Sequence, residues 1–236
     1  MKVAIMQPYF LPYVGYFQLI NAVDKFVIYD NIEFTKKGWI NRNRFLVNGG
    51  DEFFTLPLKK DSDYLQVKER LLADSFESDR AKILRKIKEA YRKAPFADKT
   101  YPILEDIFNY QSKNLFDYIL NSVRIVCNQF GIQTEIVISS SIDINHQLRS
   151  ESKVIEICKK IGASAYINPI GGVELYSSSK FALDGIELSF LKASPFEYSQ
   201  FQNAFVPWLS ILDVMMFVSV DEIVDRLINN YTLVSN

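Results

Sequence analysis

Short apolar runs alternate with amphipathic segments along the chain, and this pattern predicts alternating strands and helices. Residues 2–6 and 25–29 are apolar runs of strand length, and apolar residues recur at helical spacing over 14–23 between them. Pro8 and Pro12 end the first strand, because proline donates no hydrogen bond to a sheet. The first thirty residues therefore predict a strand, a loop, a helix and a second strand.

The rest of the chain extends this pattern around a helical middle. Gly49 and Gly50 lie between two apolar runs and predict a β-hairpin. Amphipathic helical patterns follow, and then further predicted strands and helices: strands over 133–139, 163–168 and 186–191, and helices over 153–161 and 205–217. This order predicts an α/β fold, a Rossmann-like (HUP-type) parallel sheet flanked by helices. Its core comprises residues 1–60 and 132–236, and residues 61–131 form an inserted helical subdomain that closes over the crevice.

Composition narrows the class of protein. The 236 residues, 48% of them hydrophobic, suffice for one large domain with its own core. The chain has 27 basic and 28 acidic residues and thus a net charge of −1, so we expect no nucleic-acid partner. The cysteines Cys127 and Cys158 lie apart in helical patterns, which is typical of buried thiols in the cytoplasm. No apolar run is long enough to span a membrane, and the oligomeric state stays open.

Polar and aromatic side chains follow the first two predicted strands. Ligands bind where such strands end and a helix begins, since unpaired N–H groups and the helix dipole favour an anion there. The residues placed at this crevice are Gln7, Tyr9, Tyr13, Gly15 and Tyr16 after the first strand, and Asp30 and Asn31 after the second. Tyr16 is equally well explained as a helix-start residue that packs on the sheet.

A cationic loop follows the second strand. It contains Lys36, Lys37, Trp39, Asn41, Arg42, Asn43 and Arg44. An arginine side chain can donate two parallel hydrogen bonds to the oxygens of a phosphate, and an indole offers a face on which a ligand ring can stack. The loop therefore predicts a binding site for a ligand with a phosphate and a ring. The alternative is a solvated hairpin with alternate residues packed beneath it. We expect the loop and the tyrosine-bearing turn to converge on one anionic pocket.

Further candidates lie in the second half of the chain. Lys153 falls in the first turn of a predicted helix, and Asn168, Gly171 and Gly172 follow a predicted strand, where the glycines permit close approach of a ligand or simply form a turn. His146, the single histidine, is a candidate general base without a partner at readable spacing. We expect no metal site, because the chain has no histidine cluster and no Cys-x-x-Cys pair.

Four segments together resemble the WbqC-like family: QPYFLPYVGYFQLI, VIYDNIEFTKKGWINRNRF, SKVIEICKKIGASAYIN and PWLSILDVMMFVS. Genes of this family are typically found among those for bacterial surface-polysaccharide (O-antigen) and amino-sugar biosynthesis. The turn LPYVGY is also similar to the His-x-Gly-His turn of nucleotidylyltransferases and pantothenate synthetase, with Tyr13 and Tyr16 in place of the histidines. That similarity implies ATP with Mg²⁺ as a cofactor, provided that cations of the loop supply the missing charge.

The resemblance implies an enzyme that acylates or aminoacylates the amino group of a nucleotide-linked amino sugar. In this hypothesis Lys36, Arg42 and Arg44 bind phosphates and Trp39 a ring. Gln7, Asn41 and Asn43 orient the substrate, and Asp30 takes the amine proton. The alternatives are a non-catalytic nucleotide-sugar or glycan-binding protein of the same pathway, or a glycosyltransferase, for which only Asp61 and Asp63 resemble a metal-binding Asp-x-Asp pair.

Overall fold

The computed structural model describes residues 1–235, so Asn236, the last residue of the predicted core segment, lies outside the described residues. Eight strands are present: β1 (Lys2–Met6), β2 (Lys25–Ile28), β3 (Arg42–Val47), β4 (Gly50–Thr55), β5 (Glu135–Ile138), β6 (Ala165–Pro169), β7 (Glu187–Ala193) and β8 (Tyr231–Val234). The helices are α1 (Val14–Asn21), α2 (Phe76–Tyr91), α3 (Ala97–Phe108), α4 (Leu115–Gln129), α5 (Ser150–Lys160), α6 (Ser178–Leu183), α7 (Ile211–Phe217) and the short α8 (Val220–Glu222).

Six strands form a central sheet in the order β5-β2-β1-β6-β7-β8. The first five are parallel to one another, and β8 pairs antiparallel with β7. The chain adds β2 and β5 on one side of β1 and then crosses to add β6 and β7 on the other. The order of the strands therefore reverses between β1 and β6. The predicted α/β class with a mostly parallel sheet flanked by helices is confirmed.

Helices cover both faces of the sheet, because alternate residues of the central strands point to opposite faces. Ala4 and Phe26 belong to a core that includes α1, and Val3 and Val27 to a second core that includes α5 and α6. All four of these strand residues are buried. Such strands are apolar on both faces, which explains the continuous apolar runs in the sequence.

The helices α2, α3 and α4 pack into the same core as α1. Ile87, Leu104 and Val123, one from each helix, are completely or almost completely buried in it together with Phe17. Residues 61–131 thus share a hydrophobic core with the face of the sheet that α1 covers. Within residues 1–235, no helix is both long and apolar enough to cross a lipid bilayer.

The predicted hairpin is confirmed as β3 and β4, which pair only with each other. Asn48 and Gly49 form its turn with φ of 51° and 81°, a conformation that asparagine and glycine adopt more readily than other residues. β3 is fastened to the loop after β1, since the Asn43 side chain donates to the carbonyl of Leu11 (2.8 Å). Asn43 is therefore a structural residue of the hairpin.

The C-terminal part differs from the sequence prediction in two places. The helix predicted over 205–217 begins only at Ile211, because Trp208 adopts a left-handed φ of 61° and Ser210 caps the first turn by accepting from the Leu212 amide. The strand β8 (Tyr231–Val234) was missed, since it is short and only partly buried.

A buried carboxylate joins three segments on the helical side of the molecule. Asp213 of α7 is fully buried and accepts hydrogen bonds from Tyr91 (2.6 Å), Tyr198 (2.7 Å) and Gln200 (2.8 Å). Burial raises the pKa of Asp213, and the three donors oppose this shift. The Tyr91 hydroxyl also accepts from the Leu46 amide of β3 (2.7 Å). α2, α7 and the hairpin are thus joined through one hydroxyl group.

We expect Tyr91→Phe to lower the free energy of unfolding by about 2 kcal/mol, because it leaves the Leu46 amide and one oxygen of Asp213 without a partner in a dry site. Tyr101→Phe is the matched control: it removes a hydroxyl that donates to the carbonyl of Lys88 at the surface (2.9 Å), and we expect a change under about 0.5 kcal/mol. Urea denaturation followed by circular dichroism measures both. Equal effects of the two variants would contradict the role given to Tyr91.

Candidate functional site

A cleft of about 720 Å³ lies at the carboxyl edge of the parallel sheet. Its lining includes Gln7 after β1, Asn31 after β2 and Asn168 at the end of β6. It therefore lies where the strand order reverses, at the position where connecting segments diverge to opposite faces and leave a crevice. We call it the edge cleft.

The edge cleft brings together residues that the sequence placed on separate loops. Those lining it are Gln7, Tyr9, Asn31, His146, Lys153, Asn168, Gly171 and Gly172. The predicted residues outside its lining are Tyr13, Gly15, Tyr16, Asp30, Lys36, Lys37, Trp39, Asn41, Arg42, Asn43 and Arg44. The predicted site residues thus fall into two groups, those that line the edge cleft and those that lie outside its lining.

The Asn31 side chain organises one wall of the cleft. Its carbonyl oxygen accepts from the Ser139 hydroxyl (2.5 Å) and from the Lys153 ammonium (3.3 Å). Because an ammonium group can only donate, the oxygen must face Lys153, and the amide nitrogen then faces His146 Nδ1 at 3.0 Å. Asn31 therefore donates to His146, and a neutral His146 ring carries its proton on Nε2.

Lys153 is a buried lysine at the start of α5. Its side chain lies beside Asn31, and its ammonium nitrogen is 5.2 Å from the centre of the Tyr29 ring. Burial lowers the pKa of Lys153, whereas the nearby charge of Asp30 acts in the opposite direction. A lysine of this kind exists more readily as a neutral amine than a lysine at the surface does.

The opposite wall is built on the end of β6. Asn168 accepts a hydrogen bond from Tyr166 (3.0 Å) and its amide nitrogen packs against Gly172, where a Cβ atom would lie only 2.1 Å away. A side chain at residue 172 would thus displace Asn168. Gly172 therefore makes room for Asn168, whereas the close approach predicted from the sequence was that of a ligand, and a Cβ atom at Gly171 would meet nothing within 4 Å.

Asp30 is differently placed from the prediction. Its side chain is 2% exposed, and its two oxygens accept from the amide and the hydroxyl of Ser140. Both oxygens are turned toward the segment after β5 and away from the cleft lining. Asp30 is therefore not positioned to take a proton from a ligand in the cleft. Its nearby negative charge instead raises the pKa of Lys153, against the effect of burial.

Several other predicted binding residues serve the fold. The buried hydroxyl of Tyr16 donates to the Gln7 carbonyl (2.9 Å), which agrees with the alternative of a residue packed on the sheet. The Asn41 amide donates to the Leu56 carbonyl (2.9 Å), and that of Asn43 to Leu11. Neither amide is free to orient a substrate. Gly15 leaves room for the Tyr13 ring, which a Cβ atom would approach within 2.4 Å.

The cationic loop runs into strand β3 of the hairpin, and most of its cations have partners within the protein. Lys36 pairs with Asp63 (2.6 Å) and Arg44 with Asp51 (3.1 Å), and Lys37 is exposed. Arg42 donates to the carbonyls of Gly38 and Lys37. The turn and the hairpin lie together, since the Phe10 amide donates to the Ile40 carbonyl (3.0 Å) and the Asn43 side chain to the Leu11 carbonyl. The cations of the loop nevertheless lie outside the lining of the edge cleft.

The sequence predictions missed several cleft residues, among them Arg149, Glu33 and Gln66. Arg149 lines the cleft and is exposed, and its position just before the predicted helix at 153–161 was the available signal. Glu33 also lines it, shortly after Asn31. From residues 61–131 only Gln66 reaches the lining, so the expected closure by the helices is not seen. Within residues 1–235, no three His, Cys, Asp or Glu side chains converge as metal ligands would.

The orientation of Asn31 predicts the protonation pattern of His146. Because the chain has one histidine, a sample with ¹⁵N-labelled histidine gives the signals of that ring alone. In the neutral state we expect the proton on Nε2 and none on Nδ1. Asn31→Asp replaces the donor by a carboxylate acceptor, so the proton should move to Nδ1.

The matched control is Asn145→Asp, the same chemical change one residue from His146 at an exposed side chain whose oxygen accepts from the Gln147 amide. It should leave the proton on Nε2. A wild-type ring protonated at Nδ1, or a tautomer that is the same in all three proteins, would refute the arrangement.

Comparison with known proteins agrees with the resemblance noted in the sequence. The uncharacterized protein Rv1507c of Mycobacterium tuberculosis is 29% identical over 227 residues, which cover 93% of this chain and 95% of that protein. No solved structure matches the chain significantly. The model of the WbqC-like protein family matches residues 7–225, which include all the cleft residues named above. The chain belongs to the WbqC-like protein family.

Proposed function

We propose that this protein forms an amide on the amino group of a nucleotide-linked amino sugar, in the cytoplasmic biosynthesis of a bacterial surface polysaccharide. One observation carries the proposal: the edge cleft holds a buried lysine with a lowered pKa beside a histidine that an amide fixes in place. A titratable side chain that lies in a cleft with its pKa shifted by burial, as Lys153 does, is typical of active sites. The genomic association of WbqC-like proteins supports the pathway.

The sheet supports a nucleotide as part of the substrate. Counted along the chain, the five parallel strands stand in the order third, second, first, fourth, fifth. This order matches the first five strands of the six-stranded Rossmann sheets (3-2-1-4-5-6) that bind dinucleotides at the reversal point, where the edge cleft lies. We therefore assign the nucleotide-linked part of the substrate to this edge.

The start of α5 suits the phosphates of such a substrate. The helix begins at Ser150 in the cleft wall, with Arg149 before it and Lys153 in its first turn. Unpaired amides and the dipole of the helix favour an anion at this end, and the guanidinium of Arg149 adds to the attraction, which leaves Lys153 for the reaction itself. A diphosphate bound here would leave the sugar facing Asn31 and His146.

Amide formation needs a neutral amine and an activated acyl group. In the proposed step the sugar amine attacks the acyl carbonyl carbon, the new C–N bond forms, and the bond to the leaving group breaks. Lys153 takes the proton that the amine loses, and the His146 Nε2–H donates to the oxygen that becomes negative. Lys153 replaces Asp30 as the proposed proton acceptor.

The residues of the tyrosine-bearing turn do not fit an ATP triphosphate. The Tyr16 hydroxyl is buried and engaged by the Gln7 carbonyl, and the cations Arg42 and Arg44 are engaged beside the hairpin. We therefore propose that the acyl or aminoacyl group arrives already activated.

A second candidate is a non-catalytic protein that binds the nucleotide sugar. The sealed position of Asp30 favours it, because the acid expected to act in catalysis is unavailable to a ligand. The glycosyltransferase alternative is weaker, because Asp63 pairs with Lys36 at the surface outside the cleft lining.

The proposal is tested by incubating the protein with a dTDP-linked amino sugar and either an acyl-carrier thioester or glycine with ATP. We expect the sugar to gain the mass of the acyl group with the thioester and no AMP release with ATP. Binding of the sugar nucleotide without any gain of mass would support the second candidate. Formation of AMP together with the amide would contradict the absence of an ATP site.

Lys153→Met should lower kcat by about 100-fold or more, because the proton acceptor is lost. Lys159→Met is the control: it removes a lysine from the same helix that pairs with Asp184 on the surface (2.8 Å), and should leave kcat unchanged. Equal rates in the two variants would exclude Lys153 as the base.

The rate should also depend on pH through Lys153. The neutral amine accumulates as the pH rises through the lowered pKa, so kcat should increase with pH over a range that lies below the ordinary lysine value of 10.5. In the residual activity of Lys153→Met this limb should be missing, whereas a limb due to the substrate amine would remain.

A further inference from the structure

We propose that an exposed aromatic surface beside the hairpin binds the pyranose ring of a saccharide. The surface, called here the aromatic platform, consists of Tyr13, Trp39, Phe53 and Trp208. It lies outside the edge cleft, and its binding does not require that the cleft form an amide. The inference therefore goes beyond the proposed reaction.

The first half of the platform is a rigid stack. The rings of Trp39 and Phe53 lie 6.0 Å apart and are inclined by 22°. The guanidinium carbon of Arg42 is 4.9 Å from the Phe53 centre and that of Arg44 is 5.7 Å from the Trp39 centre. These cation–π contacts stabilise the two rings, while 40% of Trp39 and 47% of Phe53 stay exposed.

The second half is Trp208, which is 65% exposed and contacts the Tyr13 ring edge-on at 5.6 Å. Its φ of 61° is a strained conformation for a bulky residue. Arg44 helps to hold it by donating to the Trp208 carbonyl (3.3 Å). An exposed indole kept in a strained conformation gains nothing for the core, and such strain is found preferentially at ligand sites.

The charges around the platform indicate a neutral ligand. The arginines that flank Trp39 already have partners within the protein: Arg42 donates to the carbonyls of Gly38 and Lys37, and Arg44 to Asp51. A phosphate would have to compete with these partners. What remains open is a set of apolar ring faces with Asp51 at the edge, which can accept from a hydroxyl group. A pyranose ring has a matching apolar face and a hydroxyl-bearing edge.

The platform also lies near the edge cleft. Burial raises the pKa of the hydroxyl of Tyr9, a cleft residue, and the neighbouring Tyr13 hydroxyl raises it further. The two tyrosines connect the platform to the cleft along the surface of the turn after β1. A saccharide on the platform would therefore have its end close to the entrance of the cleft.

Tryptophan fluorescence tests the inference directly, because the chain has two tryptophans and both belong to the platform. Titration of the protein with methyl glucopyranoside, N-acetylglucosamine and its trisaccharide should give a saturable change for at least one of these sugars. Adenosine monophosphate and inorganic phosphate, tested in the same way, should give none. A flat response to all three sugars, or saturation with either comparison compound in place of a sugar, overturns the proposal.

The variants Trp39→Ala and Trp208→Gly each leave one reporting indole. Each should weaken binding of the responding sugar about fivefold or more, as expected for the loss of one aromatic contact. Trp208→Gly should also raise the midpoint of thermal unfolding, because glycine adopts positive φ without strain. This result would separate lost binding from lost folding.

The matched control is Tyr64→Ala, which removes an aromatic side chain that is 82% exposed and not part of the platform. It should leave the affinity for the sugar unchanged. Unchanged affinity in both tryptophan variants, or an equal loss in Tyr64→Ala, would show that the fluorescence change does not arise from binding at the platform.

Discussion

The parallel pairing of β1 with both β2 and β6 is the constraint on which the rest of the structure depends. A strand paired on both edges and buried on both faces requires helices on either side, and α1 and α5 supply them. The connection after β1 runs through α1 on one face and the connection after β6 runs through α6 on the other, so the loops at the carboxyl ends of these two neighbouring strands separate. The edge cleft is the space that this separation creates, and its position follows from the order of the strands rather than from any single side chain.

Within that space, neighbouring residues have opposite functions. Asp30 and Asn31 leave the same strand, yet the carboxylate is sealed by Ser140 whereas the amide lines the cleft. The two side chains differ because Asp30 accepts from the amide of Ser140, whereas Asn31 contacts Ser139, Lys153 and His146. Asn31 in turn fixes both Lys153 and His146, so one buried amide determines the direction of two titratable groups. A change at Asn31 would thus alter the surroundings of Lys153 and His146 together.

Local sequence patterns predicted much of this arrangement. The period of the apolar residues gave the strands and most helices, the turn at Gly49 gave the hairpin, and the strand ends identified Asn31 and Asn168. The separation of the hairpin from the cleft could not be predicted, because it depends on contacts between distant segments, such as Asn43 with Leu11. The positive φ of Trp208 is another such case: nothing in its local sequence distinguishes it from the first turn of a helix.

The two cysteines lie in different cores, Cys127 on the side of α1 and Cys158 on the side of α5. Burial raises the pKa of each thiol to about 12, so neither forms a thiolate readily while its own layer stays closed. Alkylation of variants that retain a single cysteine would therefore time the opening of each layer separately. Each side of the sheet thus contains one thiol whose rate of alkylation reports the opening of that layer. The two rates would be equal only if both layers open in one cooperative step.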